Sequence, residues 1–176
     1  QEESPDEEDA PTDVVSDSEA DDDMQAIFAA DCTELYSPVR VNKYMAQYGM
    51  SPGSSMDLLT GWNFDHSKDR AAAARHIDEQ EPLLVTGSPM CTMFSTLQRL
   101  RPHDKVWEAR IRKATAHIKL AVAMYRRQRR QGRYFLHEHP ASASSWQLPV
   151  MQSLTAERGV LVVSVDQCMY GQTTQG

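Results

Sequence analysis

Short apolar runs alternate along this chain with longer stretches of helical periodicity. No other feature constrains the fold as much. The runs fall at residues 33–36, 55–58, 82–86 (PLLVT), 134–137 and 160–165 (VLVVSV). Between them the pattern predicts a helix over 41–48 that stops at Gly49, and one through DRAAAARHIDEQ capped by Asp65 or Ser67. A long helix is predicted from about Asp104 to Gln131, with Gly132 as its stop, and a last one near 145–158, ending at Gly159. In the long stretch Trp107, Ile111, Ala114, Ile118, Ala121 and Tyr125 recur at alternating spacings of four and three, which makes one apolar stripe. VLVVSV is a continuous β-branched run, the type that suits a strand covered on both faces of a parallel sheet. Strand and helix in this alternation predict an α/β domain. It would hold a doubly wound, mostly parallel sheet of about five strands with flanking helices.

Charge divides the chain in two. The whole carries 18 Lys and Arg against 25 Asp and Glu, a net of −7. Residues 1–23 hold 12 of the carboxylates and no base, which leaves 13 acids against 18 bases over 24–176, a balance of +5. The first segment has too little apolar surface to offset the entropy of ordering, so it is expected to be a disordered acidic tail. Ser16 and Ser18, set among acids, suit an acid-directed kinase, but a plain solubilising linker is the simpler account of the composition. The rest, 24–176, is expected to form one domain. No apolar run reaches the roughly 18 residues of a membrane span. Three cysteines without a CxxC argue against a disulfide scaffold and for free thiols in an intracellular setting. A chain that opens on Gln, with no signal peptide, is expected to be a fragment or a processed product.

In doubly wound sheets ligands bind outside the carboxyl ends of the strands, so the residues just after each run carry the functional question. Cys91 follows a Gly-Ser-Pro turn, where solvent and helix-forming N–H groups favour the nucleophilic thiolate; a small buried apolar role is the structural alternative. Glu138, at the end of the fourth run, is a candidate acid if the strand end is buried, or a surface carboxylate if it is not. His137 and His139 flank it on the opposite face of an extended segment. They offer a Cys–His pair to Cys91, but no second spaced pair supports a metal site, and none is expected. Asp57 stands where an acid often accepts from ribose hydroxyls, and Asp is also a common strand terminator. Arg126, Arg127, Arg129, Arg130 and Arg133 form a basic cluster at the end of the long helix. It suits nucleic-acid phosphates, and a solvated helix end is the simpler account of it.

Together these segments resemble the catalytic domain of DNA cytosine-5 methyltransferases over roughly 34–172. Gly87-Ser88-Pro89-Met90-Cys91-Thr92-Met93-Phe94-Ser95 resembles the family's loop around its nucleophilic Cys. Phe135-Leu136-His137-Glu138-His139-Pro140 resembles the strand that ends in the base-contacting Glu. Val165-Asp166-Gln167-Cys168-Met169-Tyr170-Gly171-Gln172 is similar to a later family segment, and Glu34-Leu35-Tyr36-Ser37 falls at the S-adenosylmethionine site. The resemblance implies a Rossmann-like methyltransferase fold and S-adenosylmethionine as cofactor. It implies Cys91 and Glu138 as catalytic residues, and Glu34, Tyr36, Ser37, Asp57, Ser88 and Pro89 around the cofactor. The target would be a cytosine swung out of the duplex stack.

The sequence also departs from that pattern. Pro38 and Arg40 stand where the family has glycines, Met90 replaces a Pro, and His139 replaces an Asn. The Arg-x-Arg after Gln172 is missing, as are a target-recognition domain and a closing C-terminal helix. The domain is therefore expected to be divergent, either active or degenerate. The DLLTGWNF, GSPMCTMFS and GRYFLHEHPAS blocks also resemble a methyltransferase-like segment of retroelement-type polyproteins. The alternative function is a non-catalytic nucleic-acid-binding module of such a polyprotein.

Overall fold

The computed structural model describes residues 30–171. The acidic tail expected over 1–23 lies outside the described residues, as does Gln172 of the last resembling segment. The architecture is α/β. Four strands, β1 (Cys32–Leu35), β2 (Pro52–Met56), β3 (Leu84–Gly87) and β4 (Tyr134–His137), form one parallel sheet in the order β2-β1-β3-β4. Helix α1 (Asn42–Met45), continued by a 3-10 turn, links β1 to β2. Helix α2 (Ser67–Gln80) links β2 to β3, α3 (Lys105–Arg130) links β3 to β4, and α4 (Pro149–Thr155) follows. The chain leaves β1 toward β2 and returns to place β3 on the other side of β1. The point where the strand order reverses therefore lies between β1 and β3.

Strand side chains alternate between two faces, and the faces differ. Leu35, Met56 and Val85 join α2 and α3 in the core through Ile77, Ile118, Ala121, Val122 and Tyr125, all nearly free of solvent. Tyr125 stacks on Phe135 with ring centres 4.7 Å apart, and its hydroxyl stands over Gly87, where a Cβ would come within 2.0 Å of it. The predicted stripe is thus the buried side of α3, with Ile118, Ala121 and Tyr125 fully enclosed and Ile111 and Ala114 partly so. Asp104 caps the helix by accepting the Trp107 N–H at 2.8 Å. The opposite sheet face is covered by α1 only over β1 and β2, where Asn42 and Met45 are buried. Tyr134 and Leu136 of β4, on that same face, are exposed.

Three expectations need correction. The fifth strand expected at 160–165 is absent from the sheet, which has four strands among the described residues. The segment is irregular, with Leu161 85% and Val163 73% exposed. A β-branched run is strand-like only when a neighbouring strand takes its backbone groups, and among the described residues β4 stays an open edge. The helix expected at 145–158 is broken in two. Pro149 holds Leu148 extended at ψ 136°, so a 3-10 turn over Ser144–Gln147 ends there and α4 starts afresh with Pro in its first turn. Neither Asp65 nor Ser67 caps α2: His66 is the N-cap residue, and Asp65 pairs with Lys113 at 2.6 Å instead.

No helix among the described residues is long and apolar enough to cross a membrane.

Candidate functional site

Because all four strands run the same way, their carboxyl ends share one rim. Tyr36 and Ser37 follow β1, Asp57 follows β2, Ser88 to Cys91 follow β3 and Glu138 follows β4. The sequence candidates outside the arginine cluster therefore belong to one edge of the sheet. β3 and β4 are neighbours, and the Glu138 N–H donates to Gly87 O at 3.0 Å, so the Cys91 loop and Glu138 leave adjacent strands.

Cys91 is a half-buried free thiol at the start of a 3-10 turn, Thr92–Phe94, with its carbonyl accepting the Phe94 N–H at 2.8 Å. Glu138 is exposed, so the strand end is not the buried environment expected for it. His139 is buried and fully engaged: Nδ1 lies 2.5 Å from Ser145 Oγ, and Nε2 lies 3.1 Å from Pro89 O. It ties the Cys91 loop to the segment after β4. Burial pulls its ionisation below the usual histidine range, although the Pro89 carbonyl and the Glu138 charge oppose this. His137 lies 3.0 Å from the Tyr125 hydroxyl through Nδ1, and burial, aided by His139, pushes its pKa down to about 4. Both nitrogens of His139 and the Nδ1 of His137 are therefore engaged with partners other than Cys91, while His137 Nε2 is buried without a hydrogen-bond partner. Among the described residues no group of three or more His, Cys, Asp or Glu is placed to hold a metal ion.

The β1 end is organised around one buried carboxylate. Glu34 accepts from the Arg40, Val41 and Asn42 N–H groups and from the Ser37 and Ser55 hydroxyls, the last at 2.7 Å. Burial opposes its ionisation, but the Ser55 hydroxyl, the Val41 and Asn42 N–H groups and the Ser37 hydroxyl outweigh it. The carboxyl is held below its ordinary range. Glu34 thus supplies the anion that the start of α1 calls for and knits β1 to β2. Ser37 is buried and also donates to Pro38 O at 2.9 Å. Asp57 spends one carboxylate oxygen on the Leu59 N–H at 3.0 Å, in a capping box with Thr60.

Tyr36 has a left-handed backbone, φ 57°, which is uncommon for a residue other than Gly. Its hydroxyl lies 3.1 Å from His117 Nδ1, and His117 Nε2 lies 3.1 Å from Asp65 Oδ1, which joins the rim to α3. Burial pushes the Tyr36 phenol well above its usual range. His117 and Asp65 were missed in the sequence because 52 residues separate them, and no periodicity signals such a pair.

The arginine cluster is largely self-satisfied. Arg126 and Arg129 pair with Glu157, Arg127 pairs with Asp78, and Arg133 pairs with Glu81 at 3.5 Å. Arg133 also donates to Gln128 Oε1 at 3.0 Å. These bonds fasten the end of α3 to α2 and to the segment after α4. Arg130 is exposed.

Fold and rim define a parallel α/β domain whose strand-end loops present a thiol and a carboxylate from neighbouring strands. No protein-family model, no curated protein and no solved structure matches the chain.

Proposed function

We propose that this chain is a divergent methyltransferase-fold domain of the DNA cytosine-5 type that engages one nucleobase between Cys91 and Glu138. The observation that carries this reading is the placement of the Cys91 loop and Glu138 at the ends of adjacent parallel strands. They stand beside the reversal in strand order where such sheets bind ligands. The Cys91 thiolate adds to C6 of the pyrimidine, a C–S bond forms, and the C5–C6 double bond gives its electrons into the ring. The C5–C6 pair forms a C4–C5 double bond, the C4–N3 pair moves onto N3, and a proton taken from solvent through the Glu138 carboxyl meets it there. His139 holds the loop in place through Pro89 O.

S-adenosylmethionine, when bound, would supply the methyl group for C5. The residues present fit it poorly at one point. Glu34 already holds five donors from its own chain and has no role left toward a cofactor. The domain is thus read as one in which base capture is retained better than cofactor binding.

The test is DNA carrying 2-pyrimidinone, an electrophilic base that a thiol adds to at C6 without any cofactor. A covalent complex lost in Cys91→Ser and weakened in Glu138→Gln supports the reading. Absence of an adduct with the wild-type chain overturns it. Calorimetric titration with S-adenosylmethionine is expected to show weak or no binding.

A further inference from the structure

The direction of α3 decides which of its charges can serve the rim. Near its end, Gln128 Nε2 donates to Pro82 O, just ahead of β3, whereas the Tyr125 hydroxyl stands over Gly87 at the carboxyl end of that strand. The helix therefore runs back along the sheet, from carboxyl ends to amino ends. From Lys105 to Tyr125 it spans about 30 Å at 1.5 Å per residue, so its first turns project past the rim. There Trp107 and Ile111 share a cavity with Met93 and Phe94 of the Cys91 loop.

This projecting end carries the positive charge. Residues 99–113 hold six Lys and Arg against two carboxylates, a surplus of four in a domain whose whole balance is +5. At the far end Arg126, Arg127, Arg129 and Arg133 are already paired with acids. Arg101, Lys105 and Arg110 are exposed and have no ion-pair partner among the described residues. Arg101 and Arg110 meet on one depression of about 150 Å³. Asp104 lines it too, but its carboxylate is turned to the helix: Oδ1 accepts the Trp107 N–H at 2.8 Å, and Asp104 pairs with neither guanidinium. Two uncommitted guanidinium forks on one concavity suit a phosphate, which takes their donors in pairs.

We propose that the projecting end of α3 is the docking face for a DNA backbone, with Arg101, Lys105 and Arg110 on its phosphates. The choice of DNA as the polyanion rests on the nucleobase reading of the rim. Such contacts carry no sequence information; they fix the register of the duplex, here beside the Cys91 loop. The basic cluster that stands out in the sequence, RRQRRQGR, lies on the wrong end for this task, since Arg130 is about 30 Å along the helix from Arg110.

The experiment measures binding of the full chain to a short fluorescein-labelled DNA duplex by anisotropy across a salt series. Each phosphate contact contributes about 0.9 to the slope of log affinity against log salt. Arg101→Gln combined with Arg110→Gln is expected to flatten that slope by about 1.8 and to weaken binding whatever the duplex sequence. Arg130→Gln is expected to leave the slope unchanged. A second measurement uses the wild-type chain and stands even if the double variant fails to fold. The duplex should protect Arg101 and Arg110, and not Arg130, from phenylglyoxal, read by peptide mass spectrometry. An unchanged slope in the double variant, protection that misses the pair or extends to Arg130, or equal protection by polyglutamate or phosphatidylserine vesicles at matched charge would each overturn the proposal. The covalent adduct at Cys91 is read separately. A slope that falls without an adduct keeps this face and removes base capture, and an adduct with an unchanged slope does the reverse.

Discussion

Replacing Glu34 with Gln tests how the β1 end of the rim is held. Oε1 takes the Val41 N–H at 2.9 Å and the Ser37 hydroxyl at 3.0 Å. Oε2 takes the Asn42 N–H at 3.2 Å and the Ser55 hydroxyl at 2.7 Å. Whichever oxygen becomes an NH₂, one backbone N–H is left facing another donor, while the hydroxyls can turn and accept. Hydrogen bonds to a charged group are worth about 1.5–3 kcal/mol each, and a buried donor left unsatisfied costs about 1–3 kcal/mol. Glu34→Gln should therefore lose about 1–3 kcal/mol, a substantial share of the 5–15 kcal/mol typical of a domain. Ser55→Ala should lose about 1 kcal/mol. The assay is urea denaturation followed by far-UV circular dichroism at pH 7 and in acid. Glu34 has its folded pKa depressed, so its contribution is complete above the unfolded value and is lost as pH falls through the folded one. The wild-type chain should lose this stability below about pH 4, where Glu34→Gln has none of it to lose. A variant within 1 kcal/mol of the wild type, or one with an unchanged acid slope, would refute the account.

Gly87→Ala drives a Cβ to 2.0 Å from the Tyr125 hydroxyl, so a loss of about 1–3 kcal/mol is expected in the same denaturation assay, partly recovered when Tyr125→Phe is added. His137 has a folded pKa near 4 because burial disfavours the cation, so between about pH 6.5 and 4 the unfolded chain takes up a proton that the folded one refuses. Its contribution is therefore intact above about pH 6.5 and erodes as pH falls toward 4, and proton NMR titration of the ring should show a midpoint near 4. The Arg127–Asp78 pair is about one-third exposed on both sides, so a double-mutant cycle should return about 1 kcal/mol or less.

Much of the scaffold was legible because it depends on local pattern. β4 falls on residues 134–137 as read, and α3 runs from Lys105 to Arg130 along a stripe whose spacing states its buried side. Asp104 and Gly132 mark its ends by chemistry visible in the sequence. What escaped was tertiary pairing. The acceptors Asp78, Glu81 and Glu157 stand in plain view, yet only the folded positions of α2 and α4 bring them to the arginines. Glu34 reads as a ligand-facing acid because its five donors come mostly from a loop whose path the sequence does not state. VLVVSV does not form the expected strand because β propensity reports the fit to a neighbouring strand, and none among the described residues lies beside the run.

That unpaired run stands in the same molecule as the open edge of β4. One chain thus carries both a template of free backbone groups and an uncharged six-residue segment able to add to it. Strand addition between two molecules would meet both needs, so light scattering that rises with protein concentration is the expected outcome, and its absence would refute this reading. A single Lys placed within 160–165 would act there as a gatekeeper, changing how the protein stores and refolds while leaving the four strands as they are.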